Sequence, residues 1–124
     1  MRIRKALLFC LLPLAVAGCS TTITNLTPRQ FQRNAENMYP VEVIFKSNVR
    51  AIKKNTIRPY VQIGDDNYLM RRTAVVEDRW ETLVPVPADQ SVSNYRIKID
   101  YRQKRGEEST PNSSLSEPYQ IQIR

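Results

Sequence analysis

"YRIKIDYR", residues 95–102, alternates without a break. Tyr95, Ile97, Ile99 and Tyr101 fall on one side of an extended chain, and Arg96, Lys98, Asp100 and Arg102 on the other. Successive side chains of a strand point to opposite faces. The pattern therefore predicts a β-strand with one face on a core and one in water.

The same period recurs on both sides of it. Upstream, "YPVEVIFKS" sets Val41, Val43 and Phe45 against Glu42, Ile44 and Lys46. "IRPYVQIG" sets Ile57, Val61 and Ile63 against Arg58, Tyr60 and Gln62, with Pro59 predicting an edge position or a bulge. In "RWETLVPVP", Trp80, Thr82, Val84 and Val86 share a face. Downstream, "YQIQIR" points Tyr119, Ile121 and Ile123 inward, and near the start "TTITNL" supplies a first edge strand with Ile23 inward.

Turn chemistry separates these runs. "GDDN" at 64–67 is rich in residues that tolerate left-handed backbone, and "YLMRRTAVV" behind it reads as a hairpin partner. "NVRAIKKNT" is a connector or short strand with a turn at Lys53-Lys54-Asn55, and "ADQSVSN" is a loop. "PRQFQRNAENM" predicts one helical turn or an irregular crossing, with Phe31 as its apolar contact. "QKRGEESTPNSSLSEP", from Gln103, predicts a long polar loop. About seven short strands at this spacing, with no amphipathic helix, predict an all-β fold: a single antiparallel β-sandwich.

The first residues differ in kind. "MRIRK" is positive through Arg2, Arg4 and Lys5, and "ALLFCLLPLAVAG" then runs without charge. That run is too short to span a bilayer, which needs roughly 20 apolar residues, and fits the h-region of an export signal. It closes on Val16-Ala17-Gly18-Cys19. This box resembles the lipobox of bacterial lipoproteins: an aliphatic residue, two small residues, then cysteine. The resemblance covers residues 1–20. It implies a type II signal peptide over 1–18, a diacylglyceryl thioether on Cys19, and cleavage that leaves Cys19 as the acylated first residue. Ser20 in place of Asp resembles outer-membrane sorting. Several acyl chains hold a protein stably on a membrane, where one chain alone holds weakly.

Composition narrows the chemistry. Removal of the signal leaves about 105 residues, one domain's worth. Three of the 19 basic residues leave with the signal, so 16 face 12 acidic ones, a mild excess suited to weak attraction to anionic lipid, glycan or polymer. Cys10 lies within the signal, so no disulfide is available to the mature fold. There is no histidine, which removes the commonest general base and metal ligand. Three glycines in the whole chain leave no phosphate-cradling loop. No catalytic, cofactor-binding or metal site is expected.

The element order resembles an immunoglobulin-like domain over residues 21–124. Trp80 stands as its core aromatic, and Tyr95, opening the "YRIKIDY" strand, resembles the position of a tyrosine corner. The disulfide pair of antibody domains is absent and Trp80 comes late, so a fibronectin-type or other bacterial Ig-like sandwich matches better. A small barrel is the alternative.

Several residue groups invite a sharper reading. Asp65, Asp66 and Asn67 are oxygen ligands, but a calcium loop assembles more carboxylates, so turn chemistry is expected. Arg71 and Arg72 with Lys53, Lys54, Lys104 and Arg105 can form a basic patch with Tyr60 and Tyr68 interleaved, although export argues against nucleic acid. The segment 103–117 is the most plausible functional loop, since sandwich loops carry recognition; it reads equally as a disordered hairpin tip. Asn25-Leu26-Thr27 matches a glycosylation acceptor, which bacterial export makes empty.

The division expected is a lipoprotein signal peptide over 1–18, a tether with the first edge strand over 19–38, and the Ig-like domain over 39–124. The function expected is a non-enzymatic binding or structural module. It is held to the bacterial cell envelope, at the outer membrane, through acyl chains on Cys19. Its partner is an envelope protein or a glycan, not nucleic acid. The alternative is a periplasmic inhibitor or assembly factor acting on an envelope enzyme or complex.

Overall fold

The computed structural model describes residues 21–124, so Cys10, Cys19 and the expected signal over 1–18 lie outside the described residues. The strands run in chain order as β1 (Thr21–Asn25), β2 (Gln30–Phe31), β3 (Met38–Ser47), β4 (Arg58–Ile63), β5 (Asp66–Leu69), β6 (Arg71–Arg72), β7 (Arg79–Pro85), β8 (Val92–Arg105), β9 (Glu108–Leu115) and β10 (Tyr119–Ile123). One sheet has the order β1-β3-β7-β6. The other has β2-β10-β8-β4-β5, with β9 also on β8. This is the strand order A-B-E-D against G-F-C-C′ of an immunoglobulin-like sandwich, with β9 and β10 sharing the G position. The two sheets stay separate, which removes the barrel alternative.

The alternating residues meet between the sheets. Tyr39, Val41, Val43, Phe45, Trp80 and Val84 come from one, and Val61, Tyr95, Ile97, Ile99, Tyr101, Ile121 and Ile123 from the other; all are buried. Full burial of one such aliphatic side chain contributes about 1.5–3 kcal/mol. Ile97, two residues after Tyr95, sits where an antibody domain places its second cysteine, and is fully buried. Strand F, β8, begins at Val92, three residues before Tyr95, and the Tyr95 hydroxyl accepts from Asn25 Nδ2 at 2.8 Å. The bond thus reaches β1 in the other sheet, not nearby backbone as in a tyrosine corner.

Three sequence expectations change. Residues 28–38 form no helical turn: the chain crosses between sheets at 26–29, and β2 then pairs with β10 in parallel, the one parallel pair described. Phe31 does make an apolar contact, its ring 5.5 Å from that of Tyr39. Pro59 is not on an edge strand, because β4 lies between β8 and β5. Its carbonyl accepts the Met70 amide on the β5 side, past the last β5 rung at Leu69, and its nitrogen faces the same way. The missing N–H forgoes the return bond to Met70, and the β4–β5 ladder ends at that rung. Pro40 and Pro85 lose nothing, each aimed where the neighbouring strand, β1 or β6, has already ended.

Finally, 103–117 is not a loose loop. β8 continues to Arg105, and β9 pairs with it from Lys98↔Leu115 to Arg105↔Glu108. The two-residue turn Gly106-Glu107 sets Gly106 at φ 63°, a conformation glycine adopts without strain. At the other end of the arm, the Ser116 hydroxyl accepts the Ile97 amide at 2.8 Å and the Ser116 amide donates to the Ile97 carbonyl at 2.9 Å. These bonds carry the edge of β8 from β9 to β10.

With apolar packing as the main fastening between sheets, Ile97→Ala is expected to cost about 2–5 kcal/mol in urea denaturation. Leu83→Ala, on the outer face and 52% exposed, should stay within about 0.5 kcal/mol.

Candidate functional site

Two ends of the sandwich carry the connections. At one end lie the β3–β4 connection, the β6–β7 turn and the tip of the β8–β9 hairpin. The described chain also begins there, since Thr21 pairs with Ser47 at the close of β3. The connection from β3 to β4 is tied down: Lys53 N donates to Arg102 O, Lys104 N to Ala51 O, and Ile52 bridges to Gln103. The Thr56 hydroxyl donates to Lys53 O and accepts the Arg102 amide at 2.9 Å.

Between these segments opens a cleft of about 260 Å³. Phe45, Val49, Ile52, Ile57 and Trp80 form its apolar walls, and Lys46, Lys54, Arg72 and Asp78 its charged lip. The Arg72 guanidinium lies over the Trp80 ring, 4.7 Å from its centroid, an attraction that holds the cation at the lip. Asp78 takes a left-handed backbone (φ 63°), and its carbonyl accepts the Phe45 amide, which closes the β6–β7 turn on β3. An apolar floor under cations suits an apolar group that carries negative charge.

The basic residues singled out in the sequence divide. Lys54 and Arg72 meet at this cleft; Lys104 and Arg105 stand at the hairpin tip; Tyr60 and Tyr68 lie on β4 and β5 and do not line it. No interleaved aromatic-basic strip forms. Asp65 and Asp66 sit at the β4–β5 turn, where Gly64 has φ 59° and Gln62 Nε2 donates to Asn67 Oδ1. No group of three or more His, Cys, Asp or Glu that could hold a metal occurs among the described residues. Asn25 is engaged at both ends of its amide: Nδ2 on Tyr95, Oδ1 on the Thr27 amide at 3.1 Å. Sequence reasoning missed the cleft because its lining comes from separate stretches, 45–49, 52–57, 72 and 78–80; the inward faces of Phe45, Ile57 and Trp80 were legible, but not that they meet.

A second cleft, of about 540 Å³, runs along the β10 edge past Asn25, Arg29, Tyr95, Glu117 and Tyr119. The Tyr95 and Tyr119 rings are 5.6 Å apart. Burial pushes the Tyr119 hydroxyl above its ordinary value of 10.0; the Glu117 charge and then Tyr95 add to this, and the Ser116 side chain opposes it.

No family model and no curated protein matches the chain. Among solved structures it is similar to one of murine CRIg, at 10% identity and a TM-score of 0.43 over 83% of this chain and 98% of that one. The architecture rests on the strand order itself. No helix among the described residues is long and apolar enough to cross a membrane.

Tyr119 yields a pH prediction. Its folded pKa lies above the unfolded one, so its contribution is intact below pH 10 and is lost as pH rises through the folded pKa. Ultraviolet titration should show Tyr119 ionising later than an exposed tyrosine, and Tyr119→Phe should make the alkaline fall in stability shallower.

Proposed function

We propose that this chain is a lipid-anchored envelope protein that presents an Ig-like sandwich as a non-enzymatic binding or structural module. Acyl chains on Cys19 would hold it to the bacterial envelope, at the outer membrane, and the partner would be an envelope protein or glycan. The observation that carries the reading is the Val16-Ala17-Gly18-Cys19 box directly ahead of a strand-rich domain. The clefts support binding over bond-making. Their polar groups are lysines, arginines, a few carboxylates, tyrosines and side-chain amides on an open surface. A rigid sandwich with its connections gathered at the ends displays a recognition surface while the lipid supplies residence.

The protruding β8–β9 arm favours a second reading, a periplasmic inhibitor or assembly factor that docks the hairpin on a target. Its outer edge at β9 carries unpaired backbone groups, the feature that lets one sheet recruit another strand. Crosslinking in intact cells with mass spectrometry separates the two: a glycan or a structural envelope protein as partner favours the first, and one stoichiometric enzyme partner or several components of one assembly complex favour the second.

Cells fed radiolabelled palmitate should label the wild-type protein. Cys19→Ser should abolish the label, leave the signal uncleaved by the lipoprotein route and change its sedimentation with the envelope. An unlabelled wild type, or a Cys19→Ser variant processed and sedimenting as before, would overturn the anchor.

A further inference from the structure

The two ends of the sandwich differ in what they expose. At the end where Thr21 enters β1, the β6–β7 turn holds up Val75, 91% exposed, and Val76, 46% exposed. This turn is ordered: the Thr73 hydroxyl donates to Val76 O at 3.2 Å, and the Thr73 amide to Arg79 O at 2.9 Å. The same end carries Arg50, Lys53, Lys54, Arg72, Lys104 and Arg105, against Glu77, Asp78, Glu107 and Glu108. The opposite end sets Asp65, Glu36 and Asp89 beside Arg29, Arg33 and Arg124. There Arg33 is occupied within the fold, its guanidinium donating to the carbonyls of Val86 and Pro87.

We propose that the Thr21 end is a membrane-contact face. The Val75-Val76 tip enters the interfacial layer of an anionic bilayer, and the lysines and arginines around it meet lipid phosphates. Two independent features converge on this occupant. One is chemical: an apolar projection ringed by an excess of cations is the composition of an interfacial anchor. The other is positional: Cys19 lies two residues ahead of Thr21, and two residues reach at most about 7 Å. An acylated Cys19 therefore brings this end, and no other, against the bilayer. The second feature rests on the anchoring proposed above; the first does not. Each cation held at an anionic surface raises partitioning by roughly fivefold. Together they would fix the sandwich upright and leave the β4–β5 turn and the charge-balanced end facing outward.

The test places tryptophan at one end or the other of the full chain in vesicles of phosphatidylglycerol and phosphatidylethanolamine, with and without a brominated phosphatidylcholine quencher. Trp80 lines the cleft at this end, so its own quenching is read in the wild type and subtracted. Val75→Trp should lose about half or more of its added emission to the brominated lipid. Asp89→Trp, at the far end, should lose none beyond the wild type. In Val75→Trp, the further changes Lys53→Glu and Lys54→Glu, or vesicles of phosphatidylcholine alone, should reduce the quenching severalfold. Equal quenching at both positions, or none at 75, overturns the contact face. Palmitate labelling read on the same preparation keeps the two ideas apart. A labelled protein unquenched at 75 retains its anchor and loses its contact face. Quenching at 75 in an unlabelled protein does the reverse.

Discussion

The fold depends on apolar contact between two sheets that nothing covalent joins. There is no cysteine from residue 20 to the end of the chain, so the position that a disulfide would take in an antibody domain is filled by aliphatic packing around Ile97. Such packing is additive and area-dependent, where a disulfide acts by restricting the unfolded chain. It explains why the inward rows of β3, β7, β4, β8 and β10 run almost without a polar interruption. Ser93 is the one polar residue among the buried ones, placed at the end of its row opposite Ile121.

Around this core the chain manages its edges. β6 and β2 are two residues long, too short to recruit another strand readily. Pro40 and Pro85 turn their bare nitrogens toward places where a neighbour has already ended, so those ladders lose nothing, while Pro59 ends the β4–β5 ladder opposite Met70. Arg33 secures the end opposite Thr21: it donates to Asn37 Oδ1 and to the carbonyls of Val86, Pro87 and Gln90, and lies over the Tyr39 ring. One charged side chain thus binds the connection after β2 to the connection after β7. The long β8–β9 arm is the exception. Its outer edge is open along much of its length, with Pro111 as a partial guard.

The result is a body with unlike ends. One is closed by Arg33 and its carbonyl partners. The other is left with an apolar-floored cleft, an ordered valine tip and a surplus of cations. No local patterning of charge produces this difference. It follows from antiparallel topology, which brings every second connection to the same end.

The sequence by itself determined the strands, their inward faces and the absence of a disulfide. Alternation of β-branched and aromatic residues with polar ones is a local code, legible in Val41-Val43-Phe45 and in Tyr95-Ile97-Ile99-Tyr101 as soon as the period is counted. It also placed the turn at Gly64 and a cysteine box whose chemistry is local too. Only the tertiary structure decided what lay in pairing partners. "ESTPNSSL" became a strand because β8 offered it a ladder, though both its faces meet water and its composition carries no period. Gln30-Phe31 became strand through parallel pairing with residues some ninety positions away. The cleft, whose walls come from β3, β7 and the connections around them, existed in no single stretch: side chains distant in sequence become neighbours only after the sheets have closed on each other.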